Sequence, residues 1–147
     1  MDTARRVTSY ADALTSWEAT LTLPFEQRRK SRQRAVLDRG GEVFLDLPRG
    51  RTLQEGDRLR AEDGFVILVR AAPERLSVAT SDDTRTVARA CYHLGNRHVA
   101  VQIEPHAVAY PEDHVLDAMV RQLGLEVTSR VAPFQPEGGA YGHHHHE

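Results

Sequence analysis

Leu76-Ser77-Val78-Ala79-Thr80-Ser81-Asp82-Asp83-Thr84-Arg85-Thr86-Val87-Ala88-Arg89-Ala90-Cys91-Tyr92-His93-Leu94-Gly95-Asn96-Arg97-His98 changes its hydrophobic period partway along. Leu76 to Thr80 reads as a strand. Ser81, Asp82 and Asp83 offer helix caps, because a short oxygen-bearing side chain accepts from the first free backbone N–H groups. Val87, Ala90, Cys91 and Leu94 then recur at helical spacing, and Gly95 is the expected stop. His98 to Ile103 and His106 to Tyr110 read as two further strands. Pro111-Glu112-Asp113 is expected to open a second helix, with proline and acids where the orphan N–H groups favour them. Its apolar face is expected to carry Val115, Leu116, Met119, Val120 and Leu123, with Gly124 closing it. Glu126 to Val131 is a last strand. The order βαββαβ is the ferredoxin-like split motif.

Upstream, the signals are strands broken by frequent turns. Ala19 to Leu23 alternates and stops at Pro24; Arg32 to Leu37 runs into Asp38-Arg39-Gly40-Gly41; Glu42 to Leu47 is closed by Pro48-Arg49-Gly50. Phe65 to Val69 is apolar throughout and is expected to be a central strand. Strands this short predict a small barrel or sandwich. The fold class is therefore α+β: a β-rich unit over 1–73, a ferredoxin-like unit over 74–134, and a flexible histidine-containing tail over 135–147. Proline, glycine and polar residues dominate that tail.

The bulk numbers exclude several classes. The chain has 147 residues, 40% hydrophobic and 27% charged, which suits a globular protein and is too apolar for a disordered one. Its net charge of -2 lacks the basic excess of a duplex nucleic-acid binder. The lone Cys91 excludes an internal disulfide. No apolar run approaches the roughly 20 residues of a membrane-spanning helix, and no apolar leader follows Met1. The expectation is a cytoplasmic protein without membrane partners. The catalytic templates are absent too: no phosphate-cradling glycine loop, no nucleophile elbow, no His pair flanking a glutamate on one helix.

The polar chemistry lies in eight histidines: His93, His98, His106, His114 and His143 to His146. Neutral imidazole is a common ligand for Ni(II), Cu(II) and Zn(II). The His143 to His146 tract can collect metal wherever it is attached. His98, at a helix-to-strand junction, reads either as a structural histidine or as a ligand. One imidazole makes a poor site, but a two-fold axis supplies the same side chain twice. His114 sits in the first turn of the second helix beside Glu112 and Asp113, on a solvated face or as a ligand. His106 is expected at the surface. His93 shares a helical stripe with Arg85, Arg89 and Arg97, which repels cations. Cys91 is expected to be a small core hydrophobe. A separate basic run, Arg28 to Arg34, would place Arg28, Lys30, Arg32 and Arg34 on one face of a strand. The alternative function is therefore a metal-responsive or nucleic-acid-binding module using residues 28–34.

Ala88 to His98 is similar to the signature segment of the urease accessory protein E family. Asp113-His114-Val115-Leu116 resembles that family's next motif, and Pro133-Phe134-Gln135-Pro136-Glu137-Gly138-Gly139-Ala140-Tyr141 its closing one. Leu47-Pro48-Arg49-Gly50 and Gly56-Asp57 also fit. The resemblance runs from about Leu21 onward and implies a β-rich domain that binds peptide or a partner, then a ferredoxin-like metal domain. It implies a homodimer that carries Ni(II), with Zn(II) or Cu(II) as other occupants. The recipients would be the urease accessory GTPase and the urease apoprotein complex, and the carrier would not be an enzyme. By this resemblance the interface ligand falls on His98, the second histidine on His114, and the tail ligands on His143, His144, His145 and His146. Some members carry another histidine where this chain has Glu112.

Overall fold

The computed structural model describes residues 4–138. They form two compact units that divide between Ala72 and Pro73. No helix among the described residues is long and apolar enough to cross a membrane.

The first unit is one six-stranded sheet. Its strands are β1 (Arg5–Ala11), β2 (Ala19–Leu23), β3 (Arg32–Val36), β4 (Glu42–Asp46), β5 (Arg58–Ala61) and β6 (Val66–Ala71), in the order β2-β6-β5-β1-β4-β3. β1 pairs parallel to β4, and β2 parallel to β6. As the apolar run at Phe65 to Val69 predicts, β6 is a central strand. Alternating side chains point inward, and Val7, Leu21, Val43, Leu45, Leu59 and Ile67 are fully buried together. Each such burial stabilises by roughly 1.5–3 kcal/mol. The two sheet edges nearly close on each other. Asp38, just past β3, donates its N–H to Thr20 O at 3.0 Å. Its carboxylate accepts from both the Thr20 and the Thr22 hydroxyls and from Thr22 N–H. This makes the sheet a nearly closed barrel.

Two features of this unit depart from the sequence reading. β1 was not expected. The basic run does not lie on one strand: Phe25–Arg28 forms a short helix, α1, and only Arg32 and Arg34 lie in β3. Arg28 is 1% exposed, with Nε donating to Leu23 O and Nη1 to Leu53 O. A guanidinium folded inward onto backbone carbonyls braces the barrel and adds nothing to a surface patch.

The second unit has the predicted order. β7 (Pro73–Thr80), α2 (Thr84–Asn96), β8 (Gln102–Glu104), β9 (Ala107–Pro111), α3 (His114–Gln122) and β10 (Glu126–Pro133) follow in sequence. The sheet order is β10-β7-β9-β8, antiparallel throughout. This is the ferredoxin-like arrangement. Asp83 caps α2 by accepting from Arg85 N–H. Val87, Ala90 and Leu94 are buried as their spacing predicts, against Val108 and Tyr110 of β9.

α3 is corrected in two respects. Pro111 ends β9 instead of opening the helix, which Asp113 caps by accepting from Val115 and Leu116 N–H. Val115 is 69% exposed and stands off the apolar face, while Asp117 is buried. Its carboxylate accepts from the Tyr110 hydroxyl at 2.7 Å, which satisfies it. That contact ties α3 to the sheet. Burial, then the Asp117 hydrogen bond and charge, push the Tyr110 phenol well above its ordinary value.

Candidate metal centre

α2 does not stop at Gly95. It runs to Asn96, and Arg97 is its C-cap. His98 N–H then donates to Gly95 O at 2.9 Å, and Val99 N–H to Leu94 O at 3.1 Å. These two bonds are the Schellman closure, and the residue after the cap must turn left-handed to make them. That residue is His98, whose φ is +61°, the sole positive φ on a non-glycine among the described residues. The strand expected from His98 to Ile103 is thereby shortened to Gln102–Glu104.

The same chain closes α3 in the same way. Gly124 N–H donates to Arg121 O at 3.0 Å and Leu125 N–H to Val120 O at 3.2 Å. There the left-handed position holds glycine, at φ +104°. A Cβ raises the energy of this conformation by roughly 1–2 kcal/mol, though histidine tolerates it better than most residues. The sequence thus places an exposed imidazole where the backbone prefers glycine, and the turn sets the direction in which it leaves the helix.

The antiparallel register sorts the other histidines. β7 rises from Pro73 to Thr80, α2 returns, β8 rises, β9 returns, and α3 begins where β9 ends. His98 and His114 therefore lie at one end of the sheet, both exposed. His106 is at the other end, in the turn before β9, exposed as expected and in a hollow with Ser81, Asp82 and Glu126. The described residues contain no cluster of three or more His, Cys, Asp or Glu side chains poised around one metal position. His143, His144, His145 and His146 lie outside the described residues.

The remaining candidates are engaged elsewhere. Glu112, beside His114, accepts from the Ser129 hydroxyl at 2.8 Å and from Arg75 Nε at 3.1 Å. Those hydrogen bonds, Ser129 first, hold its carboxyl below the usual range. Cys91 is half-buried, and burial together with the Glu137 charge pushes its thiol up, away from the thiolate that binds metal. His93 packs edge-on against Tyr92. The basic segment is dispersed as well. Arg29 pairs with Glu26 at 3.2 Å, and Arg32 with Asp46 and Arg34 with Glu42, each at 3.5 Å, so these three exposed cations each have a carboxylate partner.

The architecture defines a class: a two-domain α+β protein in which a small barrel precedes a ferredoxin-like unit displaying histidines at its helix ends. Known proteins narrow it. The family model described as UreE urease accessory protein, N-terminal domain, matches residues 4–72, and that for the C-terminal domain matches residues 74–147. Proteins named urease accessory protein UreE are close in sequence. That of Alkalilimnicola ehrlichii is 58% identical over 125 residues, covering 85% of this chain and 77% of the relative. That of Citrobacter koseri is 54% identical over 133 residues, covering 86% and 88%. That of Vibrio parahaemolyticus is 50% identical over 133 residues, covering 84% of each.

The chain belongs to the UreE urease accessory protein family. It is an accessory chaperone and not an enzyme, and the nucleic-acid alternative is not favoured.

Proposed function

We propose that the protein is a cytoplasmic nickel carrier that delivers Ni(II) to urease during assembly of its metal centre. It acts as a homodimer. Two His98 imidazoles meet at the dimer axis, where an isologous interface brings the same residue twice. His114, at the same end of the sheet, and the tract His143 to His146 complete and relay the coordination. The recipient is the urease apoprotein with its accessory GTPase. The observation that carries this reading is His98 in a left-handed position. The chain uses glycine in the equivalent turn of α3 and accepts strain at His98 to keep an imidazole there. Strain of this kind collects at functional sites. Neutral nitrogen donors suit a borderline ion such as Ni(II), and a two-imidazole site is open enough to release its cargo.

The test is calorimetric Ni(II) titration with light scattering on residues 1–142 and on the same chain with His98→Ala. A dimer binding one nickel, lost in His98→Ala, is the expected result. Binding untouched by His98→Ala, or abolished by removal of the tract alone, would overturn the interface site.

A further inference from the structure

α2 has a solvent face that neither the core nor the histidine site uses. Arg85, Ala88, Arg89, Tyr92 and Asn96 follow one another at i, i+3, i+4, i+7 and i+11, which is one side of a helix. All five are exposed, opposite the buried Val87, Ala90 and Leu94. The charge on this side has one sign. The second unit is acidic, with nine carboxylates against six arginines over residues 73–138. Three of those arginines, Arg85, Arg89 and Arg97, stand on α2 or at its cap, and the 13-residue helix contains no Asp or Glu. Arg75 and Arg130 of the same unit are paired, with Glu112 and Glu104. Among the described residues, Arg85, Arg89 and Arg97 form no ion pair. The nearby Asp83 is taken up in capping the helix. The helix itself gains nothing from these cations. Arg85 lies in its first turn, where the dipole favours an anion, and Arg89 follows at i+4, a repulsive spacing for like charges.

We propose that this face of α2 docks an acidic helix of a partner protein. The inference rests on the carrier reading above, since the partner to be met is the recipient of the metal. Arg85 and Arg89 lie about 6 Å apart along the helix axis, the spacing that carboxylates at i and i+4 of a second helix present. Each guanidinium can grip a carboxylate through two parallel N–H donors. Ala88, beside them, leaves room for an approaching backbone. Tyr92 is 66% exposed and stands edge-on to His93, with ring centroids 5.2 Å apart. Tyrosine and arginine together are the side chains that carry most of the energy of protein interfaces. A second copy of this chain does not fit, because α2 has no carboxylate to offer its own arginines. A nucleic acid fits less well than an acidic helix, because its affinity comes from neutralised phosphates and the unit around these three cations is acidic. Arg89 is nine residues before His98, about 14 Å along the helix. A partner seated on the arginines is therefore brought beside His98 without occupying it.

The test measures binding of the full chain to immobilised urease apoprotein carrying its accessory GTPase. Arg85→Glu with Arg89→Glu reverses two exposed charges and puts an acid in the first turn of α2, so the melting temperature should hold or rise. Affinity for the recipient is expected to fall about tenfold or more at about 0.1 M salt, and the salt dependence of the unchanged chain should flatten. Arg85→Lys with Arg89→Lys keeps the charge but gives up the two-pronged contact, so its loss should be smaller. Nickel titration should be the same in all three chains. Recipient affinity unchanged by the charge reversal would overturn the docking face and leave the carrier reading standing. A loss matched by weaker nickel binding or a lower melting temperature would also overturn it, because that marks a general effect on the unit. So would a single-stranded oligonucleotide that the charge reversal releases while recipient binding stays intact, which would assign the face to nucleic acid. If the unchanged chain binds no recipient, the carrier reading itself fails, and the inference with it.

Discussion

His98→Gly should make the protein more stable while it loses nickel. The left-handed turn at His98 costs an L-residue roughly 1–2 kcal/mol, less for histidine than for branched residues. Glycine escapes that cost but brings an unfolded-chain entropy penalty of roughly 0.5–1 kcal/mol. The imidazole is exposed, so no core contact is lost. The net expectation is a gain of about 0.5–1 kcal/mol, seen as a Tm rise of about 2–5 °C. His98→Ala keeps the left-handed Cβ and should change stability by less than about 0.5 kcal/mol. Metal affinity should fall equally in both. Gly124→Ala is the reciprocal change. The nearest side-chain atom to a Cβ there is Thr86 Cγ2, at an ordinary 4.0 Å, so the expected loss of about 1–2 kcal/mol is a pure backbone term. Urea unfolding followed by circular dichroism measures all three. His98→Gly no more stable than His98→Ala, with Gly124→Ala neutral, would refute the claim that these two turns carry a conformational cost.

Two further predictions concern the folded units. Asp38→Ala removes the three hydrogen bonds that clasp β2 to the turn after β3 and should cost about 2 kcal/mol in urea; an unchanged midpoint would mean the barrel closes without it. Burial raises the Asp38 carboxyl, but the Thr20 and Thr22 hydrogen bonds outweigh that and hold it below its ordinary value. Its folded pKa is depressed, so its contribution is present above the unfolded value near 4 and is lost as pH falls below it. The acid limb of the stability profile should therefore flatten in Asp38→Ala. Tyr110→Phe leaves the buried Asp117 without its donor and should cost about 1–3 kcal/mol. The Tyr110 phenol is raised by burial and by Asp117. The sign is thus opposite: the contribution is present below the unfolded value near 10 and is lost as pH rises through the alkaline range. Burial also raises the Tyr10 phenol, though less, so ultraviolet titration should show Tyr110 as the last tyrosine to ionise; that last step should be absent in Tyr110→Phe, and its persistence would sink the assignment.

The parts of the fold that were legible were those with a clean period. Val87, Ala90 and Leu94, and Leu116 and Val120, lie on buried helix faces as their spacing requires. β1 escaped because the register shifts between Val7 and Ser9, which breaks the alternation that marks a strand. Val115 departs from the expected apolar face because apolar character alone does not fix burial, and Asp117 is buried instead because its bond to Tyr110, remote from any apolar pattern, satisfies the carboxylate. The end of α2 was misjudged because Gly95 is an attractive stop. A side-by-side alignment of Arg97-His98-Val99 with Leu123-Gly124-Leu125 carried the missing clue, since both triplets close a helix and only one has glycine at its centre.

The candidate site was legible as residues and illegible as an arrangement. His98, His114 and the chain at Glu137 are separated by 16 and 23 residues in sequence. No local motif relates them. What relates them is the antiparallel ladder, which returns α2, starts α3 and ends β10 all at one end of the sheet, and the chain after β10, where Gln135 N–H donates to the Gln102 side chain and Glu137 N–H to Val101 O beside β8. An enzyme would need these groups held rigidly around one reacting atom. Here one imidazole follows a left-handed turn and one stands exposed at a helix start, and the described residues gather no group of three donor side chains. On the carrier reading proposed above, so open an arrangement suits the role, because one ligand can be exchanged for a recipient's while another still holds the ion.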